Sequence, residues 1–262
     1  MSQSYSYSKI PKSRLATFDV YSVGKRKNHI VALLEFDVTN ARSKINEFRL
    51  NGQKVSFNAW LLKAIANAIA LHPEVASFRK GKKGLMTFDE VSISLLVEKD
   101  IEGKKVPIPV VIEKMNQKTI SELTLEIEDS KKLTLSKDDI VLNRKPKLYE
   151  RTYYIMPSFI RRLAWSLMLR KPKFLYKKMG NVSVTSVGVM GRVNGWFIHS
   201  SVHPISFGIG SIIKKPVVVN NEIKVREILN ATILLDHDVI DGAPMVRFMK
   251  DLTKNIENGI FL

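Results

Sequence analysis

The sequence predicts an α+β domain, a mixed β-sheet layered with helices. Three observations lead there. Strand-like and helical segments follow one another without the regular rhythm of βαβ units. The 262 residues are 45% hydrophobic and 26% charged, a globular balance that allows a sizeable core. No internal repeat and no Gly- or Pro-rich linker divides the chain, so residues 1–262 read as one domain, with a polar, arm-like start over residues 1–12.

Along the chain, Asp37-Val38-Thr39 opens a short helix that runs to Glu47 and is closed by Asn51-Gly52. Residues 56–71 form the clearest helix, because Phe57, Trp60, Leu61, Ala64, Ile65, Ala68 and Ile69 recur at three- and four-residue steps. His72-Pro73 stops it. Gly81 to Gly84 is a turn, and Val91, Ile93 and Leu95 alternate with serines as in a strand. Residues 106–112 read as a second strand, interrupted by Pro107 and Pro109. Thr119-Ile-Ser-Glu122 suits a capping box for a helix over residues 119–128. Residues 129–150 are charged and aperiodic, which predicts a surface connection. Residues 158–179 are a basic helical segment broken at Pro172. Strands follow over 182–187 and 205–212, then a hairpin turning at Asn220-Asn221, then an apolar strand over 228–235. The last helix follows Asp241, carries Met245, Phe248, Met249, Leu252 and Ile256 on one face, and ends at Gly259.

Composition excludes several kinds of chemistry. Without cysteine there is no thiolate nucleophile, no cysteine-based zinc site and no redox pair, as fits a reducing compartment. The polar N-terminus lacks the apolar core of a signal peptide, and no run approaches the roughly 20 apolar residues of a membrane span. The expectation is a soluble, cytoplasmic protein. The net charge of +17 attracts anions, but the cations are spread along the chain and no nucleic-acid-binding signature accompanies them. Nucleic acid is therefore not the expected partner. His29, His72, His199 and His203 show no metal-ligand spacing, so no metal is predicted.

The stretch that carries chemistry is Asp236-His237-Asp238-Val239-Ile240-Asp241-Gly242, between an apolar strand and an amphipathic helix. A histidine at a strand end presents a ring nitrogen near neutrality. Asp241 is placed to cap the next helix, and Gly242 to let the backbone turn. Taken alone, His-x-x-x-Asp-Gly also reads as a surface turn with a capping aspartate.

The wider context resembles the dihydrolipoamide acyltransferase catalytic domains of 2-oxoacid dehydrogenase complexes. TILLDHDVIDGAPMVRFMKDL is similar to the end of those domains, and ALLEFDVTNAR, KAIANAIALHPEVAS, VPIPVVIEKMNQKTISEL, NVSVTSVGVMG and FGIGSIIKKPVVVNNEI resemble their earlier segments in family order. The resemblance implies a two-layer chloramphenicol acetyltransferase-like sandwich, and an acyltransferase moving an acyl group between CoA and a thiol, hydroxyl or amine. It assigns His237 as the base and puts the oxyanion donor at Thr185, with Ser186 next to it on the opposite face of the strand. It gives Asp241 a holding role, with Arg26 in FDVYSVGKRKNH as its candidate partner; Lys25, Arg26 and Lys27 also read as a solvated basic turn. It implies a homotrimer with sites between subunits, with the apolar terminus Ile260-Phe261-Leu262 either joining trimers into a larger assembly or folding back on its own subunit, and acyl-CoA as substrate with a small acceptor or a lipoyl group supplied in trans. A catalytically silent trimeric scaffold of the same fold is the alternative.

The chain departs from the family at three places. The stretch between Arg26 and Glu35, where relatives build the acceptor pocket, is short. Asp238 stands where those subunits usually carry arginine. Residues 157–179 mix Phe159, Ile160, Leu163, Trp165 and Leu167 with seven cations, which reads as a peripheral membrane contact, an active-site cover or a packed interface helix.

Overall fold

The computed structural model describes residues 5–8, 10, 13–101, 104–132, 153, 155–188, 191 and 193–262. The elements run α1 (Ser13–Gly24), β1 (His29–Asp37), α2 (Thr39–Leu50), α3 (Phe57–Leu71), β2 (Phe78–Lys80), β3 (Gly84–Met86), β4 (Ile93–Ile101), β5 (Lys104–Ile112) and α4 (Ile120–Lys132). They continue with α5 (Ser158–Met168), α6 (Pro172–Met179), β6 (Val182–Ser186), β7 (Ile205–Val219), β8 (Glu222–Asp236) and α7 (Gly242–Glu257). One six-stranded sheet has the order β1-β8-β7-β6-β4-β5, and β2 and β3 form a separate hairpin. β6 lies parallel to both β4 and β7, whereas β1–β8, β7–β8 and β4–β5 are antiparallel, so the sheet is mixed as expected.

The strand period of two sorts the sheet into two faces. Ile93 and Leu95, Val182 and Val184, Phe207 and Ile209, Ala231 and Ile233 point into the core shared with the helices. α3 supplies the centre of that core; its Trp60 is fully buried and donates its indole N–H to the Ile260 carbonyl at 3.0 Å. Leu262 packs against the same core and the Lys63 ammonium sits 5.8 Å from the Phe261 ring. The apolar terminus thus lies on its own subunit.

The opposite face is polar at its centre: Ser206, Asn230 and Thr232 are completely buried there. Residues 193–204 cover it. Trp196 donates its indole N–H to the Leu34 carbonyl, and the His199 ring occupies the space that a side chain at Gly208 would need, since a Cβ there would stand 2.8 Å from His199 Nδ1.

Local signals explain most boundaries. Thr119 and Glu122 exchange hydrogen bonds, Glu122 N–H to Thr119 Oγ1 and Thr119 N–H to the Glu122 carboxylate, completing the expected capping box. Asn220 and Asn221 both take left-handed backbone angles (φ 52° and 64°), as a two-residue hairpin turn requires. Strands β7 and β8 run longer than the apolar runs that announce them, because their far ends pair as a hairpin outside the core. α1 and the β2–β3 hairpin were not expected from local pattern. The connection expected over 129–150 is helical to Lys132 and otherwise lies outside the described residues. No helix among the described residues is long and apolar enough to cross a membrane.

Candidate active site

The His-x-x-x-Asp-Gly motif begins where β8 leaves the sheet. The Asp236 N–H still donates to the Pro204 carbonyl at 2.8 Å, and the His237 N–H donates to the Asn28 carbonyl at 2.9 Å. The chain then turns, with the Val239 N–H on the Asp236 carbonyl at 3.0 Å. His237 and Asp238 are exposed, whereas Asp236 and Ile240 are buried on either side and pin the turn. The result is an imidazole presented to solvent from a backbone fixed at both ends.

Two carboxylates next to the histidine are held by cations. Lys27 forms an ion pair with the buried Asp236. Asp238 accepts from the Asn28 side-chain amide at 3.0 Å and from Arg79 at 2.9 Å. The Asn28 hydrogen bond, then the Arg79 guanidinium, keeps the Asp238 carboxyl below the usual carboxylate range. Its charge is therefore directed to Arg79 of the β2–β3 hairpin. Between that hairpin and the His237 turn lies an open cleft of about 390 Å³, lined by Arg79, Lys82, Lys83, Gly84, Leu85 and Asp238.

Asp241 takes the N-cap position of α7 with extended backbone, but its side chain makes no capping hydrogen bond; the cap contact is its carbonyl, which accepts from the Met245 N–H at 3.3 Å. Gly242 has no left-handed backbone angle, so the turn does not depend on glycine for φ. The expected Arg26–Asp241 pair is not formed. Arg26 is exposed in the turn after α1, and its neighbour Lys27 reaches the motif instead, at Asp236. Asp19 of the same segment is buried and bound elsewhere, to Arg161 at 2.6 Å.

Thr185 and Ser186 end β6. Thr185 lies on the polar face, on the side opposite Val182 and Val184, and both hydroxyl residues are partly exposed. Register fixes their distance from the histidine. Thr185 pairs with Gly208 and Gly208 with Thr232, which is five residues short of His237. Five residues of strand cover about 16 Å, and two strand spacings add about 10 Å sideways. Within one subunit, then, His237 and the hydroxyl strand do not meet.

The other histidines have structural roles. His72 Nε2 lies 2.8 Å from the Asp251 carboxylate. His29 contacts the His203 carbonyl and His199 contacts Ser206 Oγ, and burial lowers the pKa of both rings. His203 is buried between Ser201 and the Met179 carbonyl, and burial pushes its pKa down to about 4.

Comparison with known proteins identifies the family. The model of the 2-oxoacid dehydrogenases acyltransferase catalytic domain matches residues 25–138 and 173–262. The chain belongs to this acyltransferase family. It is 27% identical over 224 residues to the dihydrolipoyllysine-residue acetyltransferase component of the pyruvate dehydrogenase complex of Mycoplasma genitalium, covering 84% of this chain and 49% of that protein. It is 26% identical over 236 residues to the lipoamide acyltransferase component of the branched-chain alpha-keto acid dehydrogenase complex of Bacillus subtilis, covering 88% and 47%. The chain thus spans about half the length of the curated relatives it matches. The fold is shared with a probable dihydrolipoamide acetyltransferase of Listeria monocytogenes (TM-score 0.69, 21% identity, 97% and 95% of the two chains). It is also shared with the cubic core of a pyruvate dehydrogenase multienzyme complex (TM-score 0.67, 17% identity, 97% and 92%).

Sequence reasoning reached His237, Asp241, Thr185 and Ser186 through the family motifs. It missed Lys27, Asn28 and Arg79 as the groups that hold the motif. Lys27 and Asn28 stood in the quoted GKRKNH segment, one and two residues from the candidate chosen there. Arg79 carried no signal, because its role depends on where the short β2–β3 hairpin packs.

Proposed function

We propose that this acyltransferase domain moves an acyl group between CoA and a dihydrolipoyl thiol presented by another protein, in a site shared between subunits of a homotrimer. A neutral ring nitrogen of His237 takes the proton from the attacking thiol as its sulfur adds to the thioester carbonyl carbon. Thr185 of the neighbouring subunit donates its hydroxyl hydrogen bond to the resulting oxyanion. The intermediate collapses by breaking the other carbon–sulfur bond, and the imidazolium returns its proton to the departing thiolate. No acyl-enzyme forms on this route.

The observation that carries the reading is the separation of the two halves. An exposed, backbone-pinned histidine ends β8, and the hydroxyl strand of the same subunit lies about 16 Å away along the sheet. A second subunit supplies what the first lacks, as the heterologous interface of a cyclic trimer would bring two different surfaces of the chain together. The cation-lined cleft beside the catalytic turn supports a phosphate-bearing substrate such as CoA.

The test is acyl transfer from acetyl-CoA to dihydrolipoamide by the intact protein. His237→Ala is expected to lower turnover about 100-fold or more with CoA binding retained. Thr185→Val, which keeps shape and removes the hydroxyl, is expected to cost roughly 3 kcal/mol in the barrier. Unchanged turnover in His237→Ala removes the base from the scheme, and a damaging Ser186→Ala with a silent Thr185→Val moves the oxyanion donor by one residue.

A further inference from the structure

Helix α5 (Ser158–Met168) is amphipathic in the inverse sense. The side turned to the protein carries Arg161, which is only 7% exposed. Its guanidinium bonds Asp19 of α1 at 2.6 Å and the Met156 carbonyl at 2.6 Å. Tyr153 donates its hydroxyl to the same carboxylate at 2.8 Å, and Trp165 donates its indole N–H to Tyr153 at 2.9 Å. A buried ion pair with this many partners fixes the rotation of the helix about its axis, because turning it would strand Asp19 without its cation.

With that rotation fixed, the apolar residues face outward. Phe159 is 70% exposed, Leu163 57% and Leu167 50%, and Ile160 lies beside them at 38%. At 100° per residue these four fall within one third of the helix circumference, a continuous stripe. A stripe of this kind turned to water is the unusual observation; scattered exposed leucines would not be. On the same helix Arg162 is exposed, 3.8 Å from Asp19, and Arg170, Lys171, Lys173, Lys177 and Lys178, all exposed, follow in the chain, with no acidic residue anywhere from 155 to 179. The helix also lies in the part of the chain that the acyltransferase family model leaves unmatched, between residues 138 and 173.

We propose that α5 docks this protein onto a bilayer rich in anionic phospholipid. Its apolar stripe enters the boundary between headgroups and acyl chains, and the flanking cations bind phosphate-bearing headgroups. Charge selects this occupant over a second copy of the chain. Two copies meeting face to face through this patch would bring together two Arg- and Lys-rich segments that hold no acidic residue from 155 to 179. An apolar strip framed by cations is what an anionic bilayer surface complements. The docked helix has a short route to the chemistry. It packs on α1, which ends at Gly24, and Asn28 just beyond accepts the backbone N–H of His237.

The test uses the full-length protein and sedimentation with vesicles, either phosphatidylcholine alone or phosphatidylcholine mixed with phosphatidylglycerol, at about 0.15 M salt. The decisive variant is the triple Phe159→Ser, Leu163→Ser, Leu167→Ser, which leaves every charge in place and changes only exposed positions. The wild type is expected to bind the mixed vesicles and not the neutral ones. The triple variant is expected to lose about a hundredfold in partition coefficient, with its oligomeric state by light scattering and its acyl transfer unchanged. A second variant, Leu163→Trp, is expected to show a blue-shifted emission on adding the mixed vesicles. Failure of the wild type to bind, equal binding by the triple variant, or no emission shift each overturns the proposal. A change of oligomeric state in the triple variant also overturns it and assigns the stripe to contact between copies.

Discussion

His203 makes the protein acid-sensitive, and the size of the effect follows from its surroundings. The ring is only 6% exposed. One nitrogen faces the Met179 carbonyl at 2.9 Å, where it donates, and the other faces the Ser201 hydroxyl at 3.3 Å. Burial, with Lys27 and His29 nearby, lowers its pKa from 6.5 to about 4. The folded state thus prefers the neutral ring, and the unfolded chain binds more protons below pH 6.5. This contribution to stability is complete above the unfolded value and is lost as the pH falls toward 4. The whole difference is worth about 3 kcal/mol, of which about 2 kcal/mol is gone at pH 5. His203→Gln keeps a neutral donor for Met179 and cannot take up the proton. Urea unfolding at pH 7.5 and 5.0, at one protein concentration, measures the loss for both proteins. The variant is expected to lose about 2 kcal/mol less than the wild type between the two pH values. The depressed His29 and His199 contribute to both and cancel in that difference. Equal losses would refute the assignment of a buried, neutral His203.

Two further changes test the packing around the site. Gly180→Ala puts a Cβ 2.2 Å from the Ser92 carbonyl at a residue with φ of 70°, and is expected to destabilise by about 3 kcal/mol or more in thermal or urea unfolding. Arg161→Met leaves Asp19 charged and buried at 1% exposure, and is expected to cost about 3 kcal/mol; adding Asp19→Asn is expected to recover much of it.

The parts of the fold that sequence predicts are those held by neighbours in the chain. α3 shows its buried stripe at three- and four-residue steps, the β7–β8 hairpin shows Asn220-Asn221, and α4 shows its capping box. α1 carries no such pattern. Asp19 is among its buried residues, and it reads as surface until Arg161, 142 positions away, explains it. The same pair sets the rotation of α5, whose apolar side faces outward because its arginine faces in. The site was legible in the same uneven way. His237 and Thr185 stand in motifs, but the Lys27–Asp236 and Arg79–Asp238 pairs depend on which turns pack together. The Arg26–Asp241 pair fails for that reason: the turn after α1 directs Lys27, not Arg26, at the motif.

The central claim is that His237 and Thr185 act across a subunit boundary, and complementation tests it most directly. His237→Ala and Thr185→Val chains, each nearly inactive alone, are denatured together in equal amounts and refolded, and transfer from acetyl-CoA to dihydrolipoamide is assayed. In randomly mixed trimers about one site in four pairs an intact histidine with an intact threonine from its neighbour, so about a quarter of the wild-type activity is expected to return. Activity no greater than the sum of the two separate variants, in trimers shown to be mixed, would contradict the shared site.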